Sequence, residues 1–205
     1  MVLIDGKKVS AEIRSRLTKE TAELKSKTSR MPGLATVLVG EDPASAVYVR
    51  NKNKICHEVG FQSFEQNLPA ETTEAQLIDL INELNGNDAV NGILVQLPLP
   101  DHIDSQKILL SIDPEKDVDG FHPINVGKLA LGNALLTPCT PTGIIALLDY
   151  YSIEIAGKHA VVLGRSNIVG KPMFGLLAQK FRKGNATVTM CHTGTNNLSY
   201  FTKQA

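Results

Sequence analysis

Tyr48 and Lys52 are the first candidates for chemistry, because they lie four residues apart in the segment YVRNK. In a helix, side chains at this spacing project from the same face. An aromatic ring there could stack on a flat heterocycle, and a lysine amine could transfer a proton where burial disfavours its charged form. A solvated helix face that carries several cations is the alternative interpretation.

Two further segments place polar side chains after apolar runs. Gln96 ends the run GILVQ, where its amide could hydrogen-bond an amine or a ring substituent. The segment DVDG carries Asp117 and Asp119, and a carboxylate can bind the amino-pyrimidine edge of a ring through two hydrogen bonds. Calcium needs more oxygen ligands than DVDG supplies. Turns with satisfied polar groups remain the alternative for both segments.

A glycine-bounded loop, GRSNIVGKP, lies between a predicted strand and a predicted helix. Ligands of α/β sheets bind at the carboxyl ends of strands, and the start of a helix favours a phosphate. The spacing matches neither the Walker A nor the GxGxxG pattern, and Pro172 replaces the Walker A hydroxyl. Arg165 could contact a ribose phosphate, which favours NADP over NAD. A turn that uses its glycines for geometry alone is the alternative.

The histidines and cysteines follow no ligand pattern. The five histidines form neither HxxxH nor HExxH, and the sequence contains no GxSxG motif. We therefore expect no metal and no Ser-His-Asp hydrolase. Cys56, Cys139 and Cys191 lie far apart without CxxC spacing, so we expect reduced thiols and a cytoplasmic protein.

Apolar periodicity predicts an alternation of helices and strands along the chain. Helices are predicted at 8–28, 45–58, 101–112, 142–151 and 171–182, and a Thr73–Gln76 capping box predicts one more. Strands are predicted at 34–39, 92–97, 158–163 and 186–191, with a short extended piece at 61–64. This alternation favours an α/β fold with parallel sheets.

Charge and hydropathy exclude several classes of partner. Lys and Arg together number 21, and Asp and Glu together also number 21. The resulting net charge of zero argues against nucleic-acid binding. The longest apolar stretch, near residues 93–99, is too short to span a bilayer. The start of the chain, MVLIDGKK, lacks the apolar core of a leader peptide. We therefore expect neither nucleic acid nor a membrane as a partner.

The loop-rich segment from residue 113 to residue 141 predicts a domain boundary. We expect a first domain at 1–120, a connection at 121–141 and a second domain at 142–205. The second domain has only two predicted strands, too few for a stable open sheet covered on both faces. We therefore expect this domain to be incomplete on its C-terminal side.

Five motifs, taken together and in order, resemble the bifunctional methylenetetrahydrofolate dehydrogenase/methenyltetrahydrofolate cyclohydrolase family. They are YVRNK, GILVQLPLP, DPEKDVDGF, TPCTPTG and VVLGRSNIVGKP, and the resemblance covers essentially the whole chain. It implies a two-domain α/β enzyme with a folate cleft between the domains and NADP on a Rossmann-like second domain. The implied reactions are oxidation of 5,10-methylenetetrahydrofolate and hydrolysis of the product to 10-formyltetrahydrofolate, without a metal, in a homodimer.

The resemblance also implies roles at matching positions of this sequence. Lys52 would transfer protons and Gln96 would hold it, while Tyr48 stacks near the folate and Asp119 binds the pterin ring. The implied cofactor residues are Gly164, Arg165, Ser166, Gly170 and Thr193, with Arg165 and Thr193 near the 2′-phosphate of NADP. Segment 179–184 looks longer than usual for the family, which should alter only a surface turn.

Two other interpretations stay open. If the chain ends at Ala205, it could be a folate-binding fragment without turnover, and folate affinity without NADP reduction would favour this. It could also be a dinucleotide-dependent oxidoreductase that acts on a different imine. Turnover unaffected by Lys52→Met or Asp119→Asn would favour the second interpretation.

Overall fold

Helices and strands alternate along the chain in the computed structural model, which describes residues 3–180 and 184–205. The helices are α1 (Gly6–Thr28), α2 (Pro43–Glu58), α3 (Glu74–Gly86), α4 (Ser105–Ser111), α5 (Pro123–Leu131), α6 (Cys139–Tyr150), α7 (Gly170–Ala178) and α8 (Leu198–Thr202). The strands are β1 (Gly33–Val39), β2 (Gln62–Leu68), β3 (Gly92–Val95), β4 (His159–Leu163) and β5 (Thr187–Cys191). All the strand pairs are parallel, which confirms the predicted α/β fold.

The described residues divide into two compact units. The N-terminal unit is Lys7–Val118, and the C-terminal unit is Asp119–Ala205 together with the residues before Lys7. Each unit contains one parallel sheet and one apolar core.

The sheet of the N-terminal unit has the strand order β2-β1-β3, with β1 in the centre. Its central strand is almost wholly buried, as its continuous apolar run predicts for a parallel strand covered on both faces. The core residues include Ala35, Val37, Leu77, Ile81, Val90, Ile93 and Ile108. Because β1 and β3 run in the same direction, their carboxyl ends meet at one edge of the sheet.

Helix α2 begins two residues before the predicted start. The Asp42 carboxylate accepts a hydrogen bond from the Ser45 N–H at 2.7 Å, and this bond lowers the pKa of Asp42 below its usual value. Pro43 occupies the first helical turn, where a missing N–H has no helical partner to lose. Gly60, with φ of +83°, follows the helix in the left-handed conformation that glycine favours.

The capping box predicted for α3 is confirmed. Thr73 Oγ1 accepts from the Gln76 N–H at 3.2 Å, and Gln76 Oε1 accepts from the Thr73 N–H at 2.9 Å. Beside it, Glu74 accepts hydrogen bonds from Lys107 Nζ and from the Asp104 N–H, both at 2.9 Å. These bonds, led by the one from Lys107, lower the pKa of Glu74 and join the N-terminal ends of α3 and α4.

The sheet of the C-terminal unit consists of β4 and β5, with Leu163 paired to Cys191 at the carboxyl end. Its core gathers residues from α5, α6 and α7, namely Leu129, Ile145, Met173, Leu176 and Leu177. The loop-rich segment contains the nine-residue helix α5, at INVGKLAL, where the sequence predicts a short helical turn. The ring Nδ1 of His122 caps this helix. Helix α6 begins three residues before the predicted start, because Pro141 is tolerated in a first helical turn.

Other predicted boundaries also differ from the structure. Helix α4 begins at Ser105 instead of 101, and strand β3 ends at Val95 instead of 97. Strand β2 extends from the predicted four residues to Gln62–Leu68, because it pairs along the whole length of β1. Helix α7 ends at Ala178. Positions 181 and 182 of the predicted helix lie outside the described residues. Positions 181–183 of the predicted surface turn also lie outside them. The short helix α8 was not predicted, since five residues carry too little periodicity.

Across residues 3–180 and 184–205, no helix combines the length and apolar character needed to cross a bilayer. Within the same ranges, no cluster of three or more His, Cys, Asp or Glu side chains is suited to hold a metal ion.

Candidate active site

Lys52 and Gln96 meet at the carboxyl edge of the N-terminal sheet. Lys52 Nζ donates a hydrogen bond to Gln96 Oε1 at 3.1 Å, although 44 residues separate them in the chain. The Gln96 N–H in turn donates to the Val37 carbonyl oxygen at 2.8 Å, which anchors this residue to the central strand. Ligands of parallel α/β sheets bind at this edge, so the pair lies where a substrate is expected.

The amide of Gln96 is oriented by a second hydrogen bond. Gln96 Nε2 donates to the carbonyl oxygen of Leu97 at 2.6 Å, so the amide oxygen is the atom that faces Lys52. The Leu97 carbonyl oxygen can accept a hydrogen bond only from the amide nitrogen of Gln96. With the amide oxygen and nitrogen exchanged, two acceptors would face each other, so that orientation is excluded. The lysine amine therefore has a neutral acceptor in a defined position.

Helix α2 is held on the sheet by its buried face, which includes a hydrogen bond to the sheet. Ser45, Val49, Asn53 and Cys56 recur at helical spacing and are buried. Thr36 Oγ1, in the centre of β1, donates to Asn53 Oδ1 at 2.9 Å. Since Asn53 directly follows Lys52, this bond fixes the rotation of the helix that carries the lysine.

Tyr48 lies one helical turn before Lys52 on α2, and its side chain is 63% exposed. An exposed ring at this position can stack against a planar ligand bound beside the amine. The structure thus brings together Tyr48, Lys52 and Gln96, three of the four residues to which the resemblance assigns a role in the folate reaction.

Asp119 is half-buried and is the first residue of the C-terminal unit. Asp117, its neighbour in DVDG, is buried and forms a parallel bridge with Ile93 of β3. The following Gly120 is buried and has φ of +64°, a left-handed conformation that glycine favours. Of the two aspartates, Asp119 is the less buried.

The loop between β4 and α7 is closed by glycines. Gly164 has φ of +120°, and a Cβ on Gly170 would lie 2.3 Å from the Gly164 carbonyl oxygen. Neither position therefore accepts a larger side chain without movement of the backbone. The close approach brings the start of α7 against the end of β4.

Ser166 stabilises this loop from within. Its Oγ accepts hydrogen bonds from the N–H groups of Val169 at 3.0 Å and Gly170 at 3.3 Å. These bonds engage two of the amides that usually face a ligand at the start of a helix. The hydroxyl hydrogen of Ser166, which neither bond uses, can be donated to a phosphate.

A turn after β5 lies beside the same loop. The Gly164 N–H donates to the Cys191 carbonyl oxygen at 2.7 Å, and Arg165 Nη1 lies 3.4 Å from His192 Nε2. Thr193, exposed, is the next residue of the turn. The loop GRSNIVGK contains an arginine and a lysine and no acidic residue, so these residues fit a phosphorylated dinucleotide.

Sequence reasoning missed Asn53 and His192. A polar residue on the buried face of α2 was a usable signal for Asn53, since such a side chain needs a partner. His192 carried no local signal, because its neighbour Arg165 is 27 residues away in the chain.

Two family models match the chain. Residues 4–119 match the catalytic domain of tetrahydrofolate dehydrogenase/cyclohydrolase, and residues 138–205 match the NAD(P)-binding domain of the same family. The chain belongs to the tetrahydrofolate dehydrogenase/cyclohydrolase family, which confirms the resemblance seen in the motifs.

Individual relatives are similar along the whole chain. The bifunctional protein FolD of Chlorobium chlorochromatii is 54% identical over 207 residues, which are 100% of this chain and 70% of the relative. That of Lachnoclostridium phytofermentans is 56% identical over 204 residues, covering 100% of this chain and 71% of the relative.

Solved structures are also similar to this chain over its whole length. The bifunctional enzyme FolD from Campylobacter jejuni superposes with a TM-score of 0.95 at 50% identity, covering 100% of this chain and 71% of that one. The Trypanosoma brucei dehydrogenase-cyclohydrolase, solved with NADP and an inhibitor, has a TM-score of 0.93 at 40% identity, covering 100% and 69%.

Proposed function

We propose that this chain oxidises 5,10-methylenetetrahydrofolate with NADP⁺ and hydrolyses the methenyl product to 10-formyltetrahydrofolate, with Lys52 as the proton-transferring residue. The Lys52–Gln96 hydrogen bond at the carboxyl edge of the sheet is the observation that carries this assignment. Family membership, established over residues 4–119 and 138–205, supplies the reaction class.

The residues that would hold the cofactor are Gly164, Arg165, Ser166, Gly170 and Thr193, on the loop and turn at the end of β4 and β5. When bound, NADP⁺ supplies the hydride acceptor for the one-carbon bridge of the folate. Loss of hydride leaves a methenyl cation, whose charge is shared by the two bridging nitrogens. No metal is needed to stabilise a cation of this kind.

Hydrolysis then requires a proton to be taken up and returned. A water oxygen adds to the methenyl carbon while the neutral amine of Lys52 accepts a proton from that water. The resulting ammonium donates this proton to the bridging nitrogen N5 as the carbon–N5 bond breaks. The remaining hydroxyl proton leaves to solvent, which gives 10-formyltetrahydrofolate and one proton overall.

Gln96 positions the amine for this transfer. A neutral amine has two hydrogens and one lone pair, and the bond to Gln96 Oε1 uses one hydrogen. The lone pair is then directed away from Gln96 and can accept a proton from water. Tyr48 would stack on the folate, and Asp119 would bind the amino-pyrimidine edge of the pterin through two hydrogen bonds.

The proposal also includes the domain organisation that the sequence predicts. We assign folate binding and proton transfer to 1–120, a connection to 121–141 and the cofactor site to 142–205. A cytoplasmic homodimer completes the proposal, and light scattering during size-exclusion chromatography would test the oligomeric state.

Replacement of Lys52 tests the proton-transfer role. Lys52→Met keeps an unbranched side chain but removes the amine, so we expect methenyltetrahydrofolate hydrolysis to fall by about 10²–10⁴-fold, the usual contribution of a positioned acid–base group. The readout is the loss of methenyltetrahydrofolate absorbance with time, for protein whose circular dichroism matches the parent.

Lys54→Met is the matched control, because Lys54 lies on the same helix with a mostly exposed side chain and a 3.8 Å ion pair to Glu58. We expect its hydrolysis rate to stay within about twofold of the parent, since exposed ion pairs contribute little. Equal rates for Lys52→Met and Lys54→Met would contradict the assignment of Lys52.

A further inference from the structure

The half-buried side chain of Lys116 joins the segment DPEKDVDG to the C-terminal end of α3. Its Nζ donates hydrogen bonds to the carbonyl oxygens of Leu84 at 3.2 Å, Asn85 at 2.6 Å and Asn87 at 2.9 Å. An ammonium group has three hydrogens, so these three bonds use all of its donors. The amine of Lys116 is therefore held by backbone carbonyls within the N-terminal unit.

Lys116 completes the end of α3, where the closing residue is extended. Asn87, which follows the helix, has φ of −87° and ψ of 112°, whereas many helices end in a left-handed residue that lets backbone N–H groups bond the last carbonyls. Lys116 supplies these donors from 29 to 32 residues further along the chain. A positive charge at this end of a helix also interacts favourably with the helix dipole.

The backbone of the same segment lies along β3. The Lys116 carbonyl oxygen accepts a hydrogen bond from the Ile93 N–H at 2.7 Å, and Asp117 forms a parallel bridge with Ile93. The side chain of Lys116 is thus bonded to a helix, and its backbone is bonded to the sheet. Removal of the ammonium would release the segment from α3 and leave only its contacts with β3.

Two further contacts hold the chain before it reaches Asp119. A Cβ on Gly92, at the start of β3, would overlap the side chain of Val118, so glycine leaves the space that Val118 occupies. The Asp113 carbonyl oxygen accepts from the Lys116 N–H at 2.8 Å, which closes the turn that presents the lysine. Asp119 follows Val118 directly, so its backbone begins from a position that these contacts define.

We infer that Lys116 is a positioning residue for the folate reaction, because its ammonium holds the segment that leads to Asp119. This inference rests on the proposed function, in which Asp119 binds the amino-pyrimidine edge of the pterin through two hydrogen bonds. Two bonds to one planar edge require a carboxylate in a defined position and orientation. Loss of the Lys116 anchor should therefore weaken folate binding through Asp119, while the Lys52–Gln96 hydrogen bond is kept.

The test is a double-mutant cycle on the full chain, in which Lys116→Met and Asp119→Ala are made singly and together. The probe is 5-formyltetrahydrofolate, a reduced folate that is stable in air, and calorimetric titration gives its Kd. We expect each single variant to bind the probe about tenfold more weakly, as for lost hydrogen bonds to a charged group. The double variant should bind no more weakly than Asp119→Ala alone, because Lys116 acts through Asp119.

Lys116→Arg is the rescue variant, because guanidinium N–H groups can also donate to the carbonyls at the end of α3, and we expect it to keep most of the affinity. Thr73→Ala is the matched control for stability. It removes the N-cap of the same helix, so we expect a lower melting temperature with an unchanged Kd. If circular dichroism shows that Lys116→Met does not fold, the same cycle is measured with Lys116→Gln, which keeps an amide donor.

Two results would overturn the inference while the proposed function stands. In the first, Asp119→Ala weakens binding and Lys116→Met does not. In the second, Lys116→Met weakens binding equally with and without the Asp119 carboxylate, which would show a general effect on the fold. If Asp119→Ala leaves the Kd unchanged, or the parent protein does not bind the probe, the proposed role of Asp119 fails together with the inference.

Discussion

At the scale of single residues, Gln96 matters because both ends of its amide are engaged. The oxygen accepts from Lys52 and the nitrogen donates to Leu97, so the side chain has one orientation. A neutral acceptor stabilises the position of an amine without strongly favouring its charged form. This is the property that a lysine needs if it is to accept a proton from water.

Gln96→Glu tests this property with a nearly isosteric change. The new carboxylate would repel the Leu97 carbonyl oxygen and would favour the ammonium form of the lysine through an ion pair. We expect methenyltetrahydrofolate hydrolysis to fall by about 10²-fold or more, with a smaller change in KM for the folate.

Gln62→Glu, on an exposed residue of β2, is the control for added negative charge, and we expect parental rates for it. A Gln96→Glu enzyme with an unchanged kcat would show that the amide of Gln96 has no part in proton transfer by Lys52.

At the scale of elements, the position of α2 decides where Lys52 reaches. The helix packs onto β1 through its buried face, and packing contacts alone leave a helix some freedom to rotate about its axis. The bond from Thr36 to Asn53 removes that freedom, because both groups are buried and have a defined geometry. The buried bond between Thr36 and Asn53 thereby positions the side chain of Lys52 at the edge of the N-terminal sheet.

Thr36→Val removes the hydroxyl with almost no change of volume. The buried Asn53 oxygen then lacks this donor, so we expect the free energy of unfolding to fall by about 1–3 kcal/mol, together with a lower kcat for hydrolysis. Thr36→Ser, which restores the hydroxyl, should recover kcat even where the lost methyl group leaves stability slightly reduced. Denaturant titration and hydrolysis assays measure the two effects, and a normal kcat in Thr36→Val would contradict a positioning role.

At the scale of the whole molecule, each unit carries its own core and one buried cysteine. Cys56 lies on the buried face of α2, and Cys191 ends β5. Cys139, at the start of α6, is exposed. Burial, and secondly the charge of Glu65, raises the pKa of the Cys56 thiol, which lowers its reactive thiolate fraction.

Thiol titration with an aromatic disulfide reagent tests this arrangement. We expect one fast thiol, from Cys139, and two slow ones whose reaction is limited by opening of the structure. Cys139→Ser should remove the fast phase alone, and denaturant should make the remaining two thiols react rapidly. A fast phase that survives Cys139→Ser would show that Cys56 or Cys191 is accessible in the folded chain.

Much of the local structure could be predicted from the sequence because its causes are local. Three features depend on contacts within a few residues. They are the Thr73–Gln76 capping box, the β-branched run of β1 and the glycine-bounded loop at Gly164. Boundaries failed where longer-range contacts decide them, as in β2, whose length is set by pairing with β1.

The sequence by itself determined the alternation of elements, the family and the residues able to do chemistry, since residue types and short spacings encode these directly. Tertiary structure alone decided which of those residues meet. Lys52 reaches Gln96 across 44 residues, Thr36 reaches Asn53 across 17, and Arg165 reaches His192 across 27. The contacts of Lys52 and Arg165 arise because parallel strands align their carboxyl ends, so residues that are distant in the chain share one edge of a sheet. Thr36 meets Asn53 because helix α2 packs on the face of β1.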